Sequence, residues 1–186
     1  MRIDNYSERA AQNGMVAGYC STWIREPDAA GDIVMKGAFA ASIAAIEREG
    51  RTIPFMFNHD SGNIRSYIGI VTYLAEDDHG LFFEAVFDDT EEAQRARALV
   101  KDGRLSKFSF AYDVLDQEPI RLPDGRKVNE LRMLDLKEIS LVMYPANRDT
   151  SVTDVKKQML LARADALLNS VNRILYELTL NAPPLT

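Results

Sequence analysis

The chain has 186 residues, a net charge of −6 and one cysteine, Cys20. This length fits one domain with a substantial core, and the hydrophobic (46%) and charged (27%) fractions are those of an ordinary soluble globular protein. The N-terminus lacks the apolar stretch of a secretory signal, and no apolar run reaches the roughly 20 residues that span a bilayer. The lone cysteine cannot form an internal disulfide, so a reducing compartment is expected.

Composition and motifs disfavour three classes of binding protein. The acidic net charge argues against nonspecific nucleic-acid binding, and no basic stripe interleaved with aromatics is present in the sequence. No Gly-rich phosphate loop appears. The two histidines, His59 and His79, are separated in sequence and have no clustered cysteines, which makes a zinc site improbable. We therefore expect no cofactor, no metal, and neither nucleic acid nor membrane as a partner.

The first half of the chain is predicted to combine strands with one helix. Residues 1–14 are polar and are expected to be loosely held. Three apolar residues recur at helical spacing in the Ala-rich segment before Gly50, which can end that helix. In chain order, the predicted elements are a strand at 16–23, a helix at 37–49, a strand at 52–58, and a hairpin of strands 67–74 and 81–87.

The second half begins with a helix that Thr90 can cap. Glu91 and Glu92 fall in its first turn, where negative charge is favourable beside the positive end of the helix dipole, and Gly103 can end it. In chain order, the strands predicted after it are 105–120, 128–134 and 136–143, with a Pro-Asp-Gly turn at 123–125 between the first two.

The last stretch of the chain differs in kind. From Thr153 onward, apolar residues mark one face of a long helix that must bury this face, either on the same chain or against a second copy. We therefore predict a β-rich α+β domain over residues 1–152, an amphipathic helix over residues 153–180, and a tail at residues 181–186.

Three strand-like segments each carry one candidate for a hydrolytic triad. His59 ends the strand at 52–58, Ser109 lies in the strand at 105–120, and Glu138 lies in the strand at 136–143. A hydroxyl becomes a useful nucleophile near neutral pH when an imidazole takes its proton and a carboxylate holds that imidazole. The residue types therefore suffice for a serine hydrolase.

The candidate base and nucleophile have rivals. His79 lies in the charged hairpin turn, where rigid placement is not expected, so His59 is the favoured base. Ser106 lies three residues before Ser109 and would face the opposite side of a regular strand. Cys20 is interpreted as a small core side chain rather than a nucleophile.

The candidate acid also has rivals, Asp60 and Asp135. Regular alternation along the strand at 136–143 predicts that Glu138 shares one face with Leu136 and Ser140. A glutamate beside apolar strand neighbours needs a partner to be buried. A structural salt bridge is the alternative to a catalytic role, and the residues alone leave both open.

Several blocks of sequence, in order, resemble the prohead (capsid-maturation) serine proteases of tailed bacteriophages, whose fold is related to herpesvirus assemblin. The resemblance covers residues 15–156, most of the chain. Its main blocks are Gly31-Asp-Ile-Val-Met-Lys-Gly-Ala-Phe39, Phe57-Asn-His-Asp60, Leu105-Ser-Lys-Phe-Ser-Phe-Ala-Tyr112 and Leu136-Lys-Glu-Ile-Ser-Leu-Val-Met-Tyr-Pro-Ala-Asn147.

This resemblance implies a triad of the Ser-His-Glu type. The family's base falls on His59, its nucleophile on Ser109 and its acid on Glu138. Two glycines that usually flank the nucleophile in this family are here Lys107 and Ala111. Loss of glycine restricts close backbone approach, so we expect the oxyanion-binding or substrate-binding backbone to differ in detail.

The resemblance also implies a fold, a substrate and a place of action. The fold would be a closed or nearly closed β-barrel with flanking helices. The activity would be that of a serine endopeptidase that cleaves scaffold protein, or the scaffolding segment of the capsid protein, and itself, inside the immature procapsid in the host cytoplasm. The alternatives are a catalytically silent capsid-assembly protein with the same fold, and an esterase or amidase. The absence of a Gly-x-Ser-x-Gly elbow counts against the latter.

Overall fold

The computed structural model describes residues 14–145, and within that range it has seven β-strands, two α-helices and one short 3-10 helix. The predicted C-terminal helix (153–180), the tail (181–186) and residues 1–13 lie outside the described residues. In chain order the elements are β1 (Met15–Thr22), β2 (Asp32–Val34), α1 (Ala40–Glu49), β3 (Ile53–Phe57), the 3-10 helix (Ile64–Ser66), β4 (Tyr67–Glu76), β5 (Gly80–Phe87), α2 (Glu91–Lys101), β6 (Lys107–Arg121) and β7 (Lys127–Val142).

All seven strands form one sheet. Six of them follow the hydrogen-bonded order β1-β5-β4-β3-β7-β2, and the seventh, β6, pairs with β7 outside this order. β2 and β3 both pair in parallel with β7, at Asn129–Leu131 and Ile139–Leu141 respectively, whereas β6 pairs antiparallel along its whole length. The sheet curls into a half-barrel with β1 and β6 at its two ends. The β-rich class with flanking helices is therefore as predicted, and the sheet is curled.

The hydrophobic core is dominated by phenylalanine side chains from several strands. Phe83 and Phe108 meet edge to face with ring centroids 4.8 Å apart, and Phe55 packs against Phe87 at 5.5 Å. Phe39, at the start of α1, is fully buried in the same cluster. Among the described residues, neither helix is long and apolar enough to cross a membrane.

The two helices are held at their ends by polar contacts. The Thr90 side chain accepts a hydrogen bond from the Ala93 N–H, as its position before Glu91 and Glu92 predicts. α1 has no side-chain cap of its own. Instead, the carboxylate of Glu76, at the end of β4, accepts the Phe39 N–H at 3.0 Å.

β7 is one long strand, not the two that the sequence predicts, and it contains a bulge at Lys137. Ala111 of β6 lies opposite Glu138, but the next residue, Tyr112, lies opposite Leu136, so Lys137 is an extra residue on β7. Leu136 and Ile139 are both fully buried in the core. The predicted alternation, which placed Leu136 on the face of Glu138, is therefore wrong: the bulge reverses the faces between the two.

The close packing of β5 on β1 gives a test of the fold. A Cβ at Gly80 would lie 2.0 Å from the Ser21 carbonyl oxygen, which is backbone and cannot turn aside. We expect Gly80→Ala to lower the free energy of unfolding by about 1–3 kcal/mol, measured by urea titration. The control is Gly62→Ala, whose Cβ would lie 3.9 Å from the nearest atom and should change stability by less than about 1 kcal/mol. Equal effects of the two substitutions would contradict this packing.

Candidate active site

The site is built on the turn that follows β3. Asn58 and His59 both have left-handed backbone, with φ of 55° and 58°, which is uncommon for residues other than glycine. The Asn58 N–H donates to the Leu141 carbonyl at 3.0 Å, and the His59 N–H donates to Ser140 Oγ at 3.1 Å. The Asn58 side chain in turn accepts the Met143 N–H at 3.3 Å. The end of β7 therefore holds the turn in place.

The turn brings the His59 ring onto Glu138. His59 Nδ1 lies 2.5 Å from Glu138 Oε1, and the Ser140 hydroxyl donates to the other carboxylate oxygen, Oε2, also at 2.5 Å. Glu138 is 5% exposed, whereas the His59 side chain is 37% exposed. A carboxylate that accepts a hydrogen bond from Nδ1–H fixes the tautomer in which Nε2 can accept a proton. The His59 ring and the Glu138 carboxylate are therefore in direct contact in the structure.

Ser109 lies on β6 directly opposite Ser140. Directly opposed residues in an antiparallel pair have side chains on the same face, with Cβ atoms roughly 4.5–5.5 Å apart. Ser109 therefore shares the face that carries Glu138 and Ser140, and it is 9% exposed. Among residues 14–145, no hydrogen bond joins the Ser109 hydroxyl to the His59 ring.

The rival nucleophile and base lie elsewhere. Ser106 precedes β6, which begins at Lys107, and so is not a strand residue as the sequence suggested. His79 lies in the turn between β4 and β5, is exposed, and packs its ring against Tyr19 at 4.4 Å. His79 is therefore a turn residue, as its charged surroundings predict.

Of the two other candidate acids, Asp135 is hydrogen-bonded to other residues and Asp60 lies on an exposed loop. Asp135 accepts hydrogen bonds from Lys137 Nζ at 2.6 Å and from the Ser42 hydroxyl at 3.3 Å. The hydrogen bond from Lys137 lowers the pKa of Asp135 below its usual range. Asp60 is exposed on the loop after His59 and lines a neighbouring cleft. In the structure, the carboxylate that contacts the imidazole is Glu138.

Cys20 lies near enough to Glu138 to be affected by its charge, and it is buried. Its Sγ lies 3.6 Å from the Leu81 carbonyl oxygen, and the residue is 1% exposed. Burial raises the pKa of the Cys20 thiol, and the negative charge of Glu138 raises it further. The thiol is therefore protonated at neutral pH and is a poor nucleophile, consistent with its interpretation as a core side chain.

Two cavities adjoin the site. A cleft of about 480 Å³ lies between the loop after β3 and α2, with Asn58 and Asp60 on its wall. A smaller cavity of about 110 Å³ lies between β1, the segment up to β2, and β6, and it is lined by Ser21 and Ser109. Within residues 14–145, no cluster of three His, Cys, Asp or Glu side chains could hold a metal ion.

The contacts of Ser140 were not predicted. The sequence placed Ser140 on the face of Glu138 but gave no reason to connect it with His59, because that contact depends on the left-handed turn. A serine two residues after a buried acid in a strand is the signal that could have suggested the contact between Ser140 and Glu138.

The comparison with protein families decides the assignment. The profile described as caudovirus prohead serine protease matches residues 2–163. The chain belongs to this family. The predicted resemblance to capsid-maturation proteases of tailed phages is thereby confirmed, together with the protease class that it implied. No curated protein sequence matches the chain.

Solved structures resemble the fold of this prohead protease at low sequence identity. The capsid assembly protease of bacteriophage T4 superposes with a TM-score of 0.54 at 8% identity, over 70% of this chain and 81% of that one. The protease of the herpesvirus KSHV, solved with a hexapeptide phosphonate inhibitor, has a TM-score of 0.42 at 13% identity, over 74% of this chain and 62% of that one. The likeness to the T4 protein concerns the fold alone.

The burial of Cys20 can be tested directly because it is the only cysteine in the chain. We expect iodoacetamide to leave the native prohead protease unmodified at pH 8 and to alkylate it stoichiometrically in guanidinium chloride, since unfolding exposes the thiol and restores its usual pKa. The measurement is intact-protein mass spectrometry. Rapid alkylation of the native protein would show that Cys20 is accessible and ionised, contrary to the structure.

Proposed function

We propose that the chain is a serine endopeptidase in which Ser109 is the nucleophile, His59 the general base and Glu138 the acid that orients His59. The observation that carries this proposal is the 2.5 Å contact between His59 Nδ1 and Glu138 Oε1, beside a serine on the same face of the sheet. Membership in a family of prohead serine proteases supports the reaction class.

In the proposed acylation step, Ser109 Oγ attacks the carbonyl carbon of the scissile peptide bond. His59 Nε2 takes the hydroxyl proton as the new C–O bond forms, and Glu138 stabilises the imidazolium through Nδ1. The tetrahedral intermediate collapses when the imidazolium gives its proton to the amine nitrogen and the C–N bond breaks. The products of this step are the free amine and an ester on Ser109.

In deacylation, water takes the place of the departed amine. His59 Nε2 accepts a proton from the water as the water oxygen attacks the ester carbonyl, and it passes that proton to Ser109 Oγ when the bond between the carbonyl carbon and Ser109 Oγ breaks. In this mechanism the Glu138 carboxylate does not take the proton itself but holds the imidazole and balances its charge. The exposed part of the His59 ring is compatible with entry of water.

The proposed substrate is scaffold protein, or a scaffolding segment of the capsid protein, within the immature procapsid in the host cytoplasm. The family description supports a substrate within the prohead. We propose that the enzyme also cleaves itself, and that the C-terminal helix predicted over residues 153–180 packs on the same chain or pairs with a second copy.

The nucleophile is tested by Ser109→Ala, co-expressed with the scaffolding and capsid proteins of the same phage. We expect processing to fall by on the order of 10⁴–10⁶, the usual loss when a triad nucleophile is removed. Gel analysis of cleavage products, together with labelling by an alkyl fluorophosphonate, measures the effect. Ser106→Ala is the matched control and should retain both activities.

The outcomes separate the alternatives. Unchanged processing in Ser109→Ala would contradict the assignment of Ser109 as the nucleophile. Loss of processing only in Ser106→Ala would show that Ser106 is the nucleophile. Capsid-protein binding without cleavage or labelling in the unsubstituted protein would favour a silent assembly protein. Turnover of small esters in preference to peptides would favour an esterase.

The orienting acid is tested by Glu138→Gln. The amide keeps the shape of the side chain but cannot stabilise the imidazolium, so we expect the rate of fluorophosphonate labelling to fall by about 10²–10⁴. Asp135→Asn is the control, since Asp135 lies on the same strand, accepts hydrogen bonds and does not contact His59. If the two variants were equally active, Glu138 would have only a structural role.

A further inference from the structure

Ser140 makes two hydrogen bonds that join both partners of the candidate base–acid pair. Its hydroxyl donates to Glu138 Oε2 at 2.5 Å, and the same oxygen accepts the His59 backbone N–H at 3.1 Å. Ser140 is fully buried. A hydroxyl has one donor and two acceptor sites, so the two bonds can form together without competing.

We propose that Ser140 is a positioning residue that fixes the geometry between the His59 ring and the Glu138 carboxylate. This inference rests on the proposed function, because it assigns Ser140 a task in the same reaction. Within residues 14–145, the Ser140 hydroxyl is hydrogen-bonded to the His59 backbone and to Glu138, and not to Ser109 or the His59 ring. This hydroxyl holds the His59 backbone N–H and Glu138 Oε2 at the same time.

The two hydrogen bonds constrain different degrees of freedom. The bond to Oε2 fixes the rotation of the Glu138 carboxylate and leaves Oε1 directed at His59 Nδ1. The bond from the His59 N–H holds a residue whose φ is 58°, a left-handed conformation that is unfavourable for residues other than glycine and persists only where other contacts determine it. Loss of the hydroxyl would therefore free both the carboxylate and the backbone that carries the imidazole.

The chain offers a closely matched control in Ser42. The Ser42 hydroxyl also accepts a backbone N–H, from Leu136 at 2.9 Å, and also lies against a carboxylate, Asp135, at 3.3 Å. It is 3% exposed and anchors the same strand, β7. Replacing either serine by alanine removes the same kinds of contact, but only Ser140 touches the base and the acid.

The first measurement is the second-order rate of labelling by an alkyl fluorophosphonate. We expect Ser140→Ala to label about 10–100-fold more slowly than Ser42→Ala, since small displacements of catalytic groups cost up to about 10² in rate. Both variants should lose similar stability in urea titration. Equal labelling rates for the two would overturn the proposal.

A cysteine variant separates hydrogen bonding from packing. Ser140→Cys keeps nearly the same volume but offers only a weak donor and acceptor. We expect it to label as slowly as Ser140→Ala, and restoration of the original rate would show that Ser140 matters only for packing. If Ser140→Ala does not fold, the cysteine variant is compared with Ser42→Ala in its place.

The second measurement does not depend on catalysis. In the Ser109→Ala background, the proton between His59 Nδ1 and Glu138 should give a far-downfield proton NMR signal, identified by its loss in His59→Gln. We expect the signal to vanish or shift on adding Ser140→Ala and to persist on adding Ser42→Ala. A signal unchanged by Ser140→Ala would overturn the positioning role. Full activity of Ser109→Ala would overturn the proposed function while leaving this comparison intact.

Discussion

The left-handed turn at Asn58 and His59 is the constraint on which the site depends, since neither residue is glycine and each holds a costly backbone conformation. The N–H groups of both residues are held by the end of β7, where the Leu141 carbonyl and the Ser140 hydroxyl accept them. The strand that holds the imidazole is therefore also the strand that carries the carboxylate. Because β3 pairs in parallel with β7 beside this turn, the His59 imidazole and the Glu138 carboxylate lie on two adjacent, hydrogen-bonded strands.

The bulge at Lys137 allows Glu138 to contact His59 while its neighbours on β7 stay in the hydrophobic core. In a regular strand Leu136 and Glu138 would point to the same side, and burial of Leu136 would carry the carboxylate into the apolar interior, which is costly. The extra residue lets Leu136 and Ile139 both face the core while Glu138 faces His59. Bulges are frequent beside active sites because they redirect a side chain in this way.

The sequence predicted most of the secondary structure and helix capping, which depend on local pattern. It predicted few of the features that depend on contacts between distant segments. The hairpin of β4 and β5 and the cap at Thr90 follow from alternation and capping chemistry, and the structure has both. The bulge and the left-handed turn were missed because Lys137 carries no local signal for a bulge, and Asn and His favour left-handed backbone too weakly to predict a turn. How far the sheet closes depends on how β1 and β6 approach, which local pattern does not encode, so the expected barrel came from the family resemblance alone.

Burial and the charge of Glu138 together bear on why the Cys20 thiol stays protonated. A nearby negative charge favours the protonated form of any neighbouring group, so it stabilises an imidazolium and also suppresses a thiolate. Burial raises the pKa of Cys20, and Glu138 adds to that rise. A thiol nucleophile works best when it is ionised before attack, whereas a serine hydroxyl needs only a base that takes its proton during attack. Cys20 is therefore suited to the core and not to attack, whereas the proposed role of Ser109 requires only that His59 reach its hydroxyl.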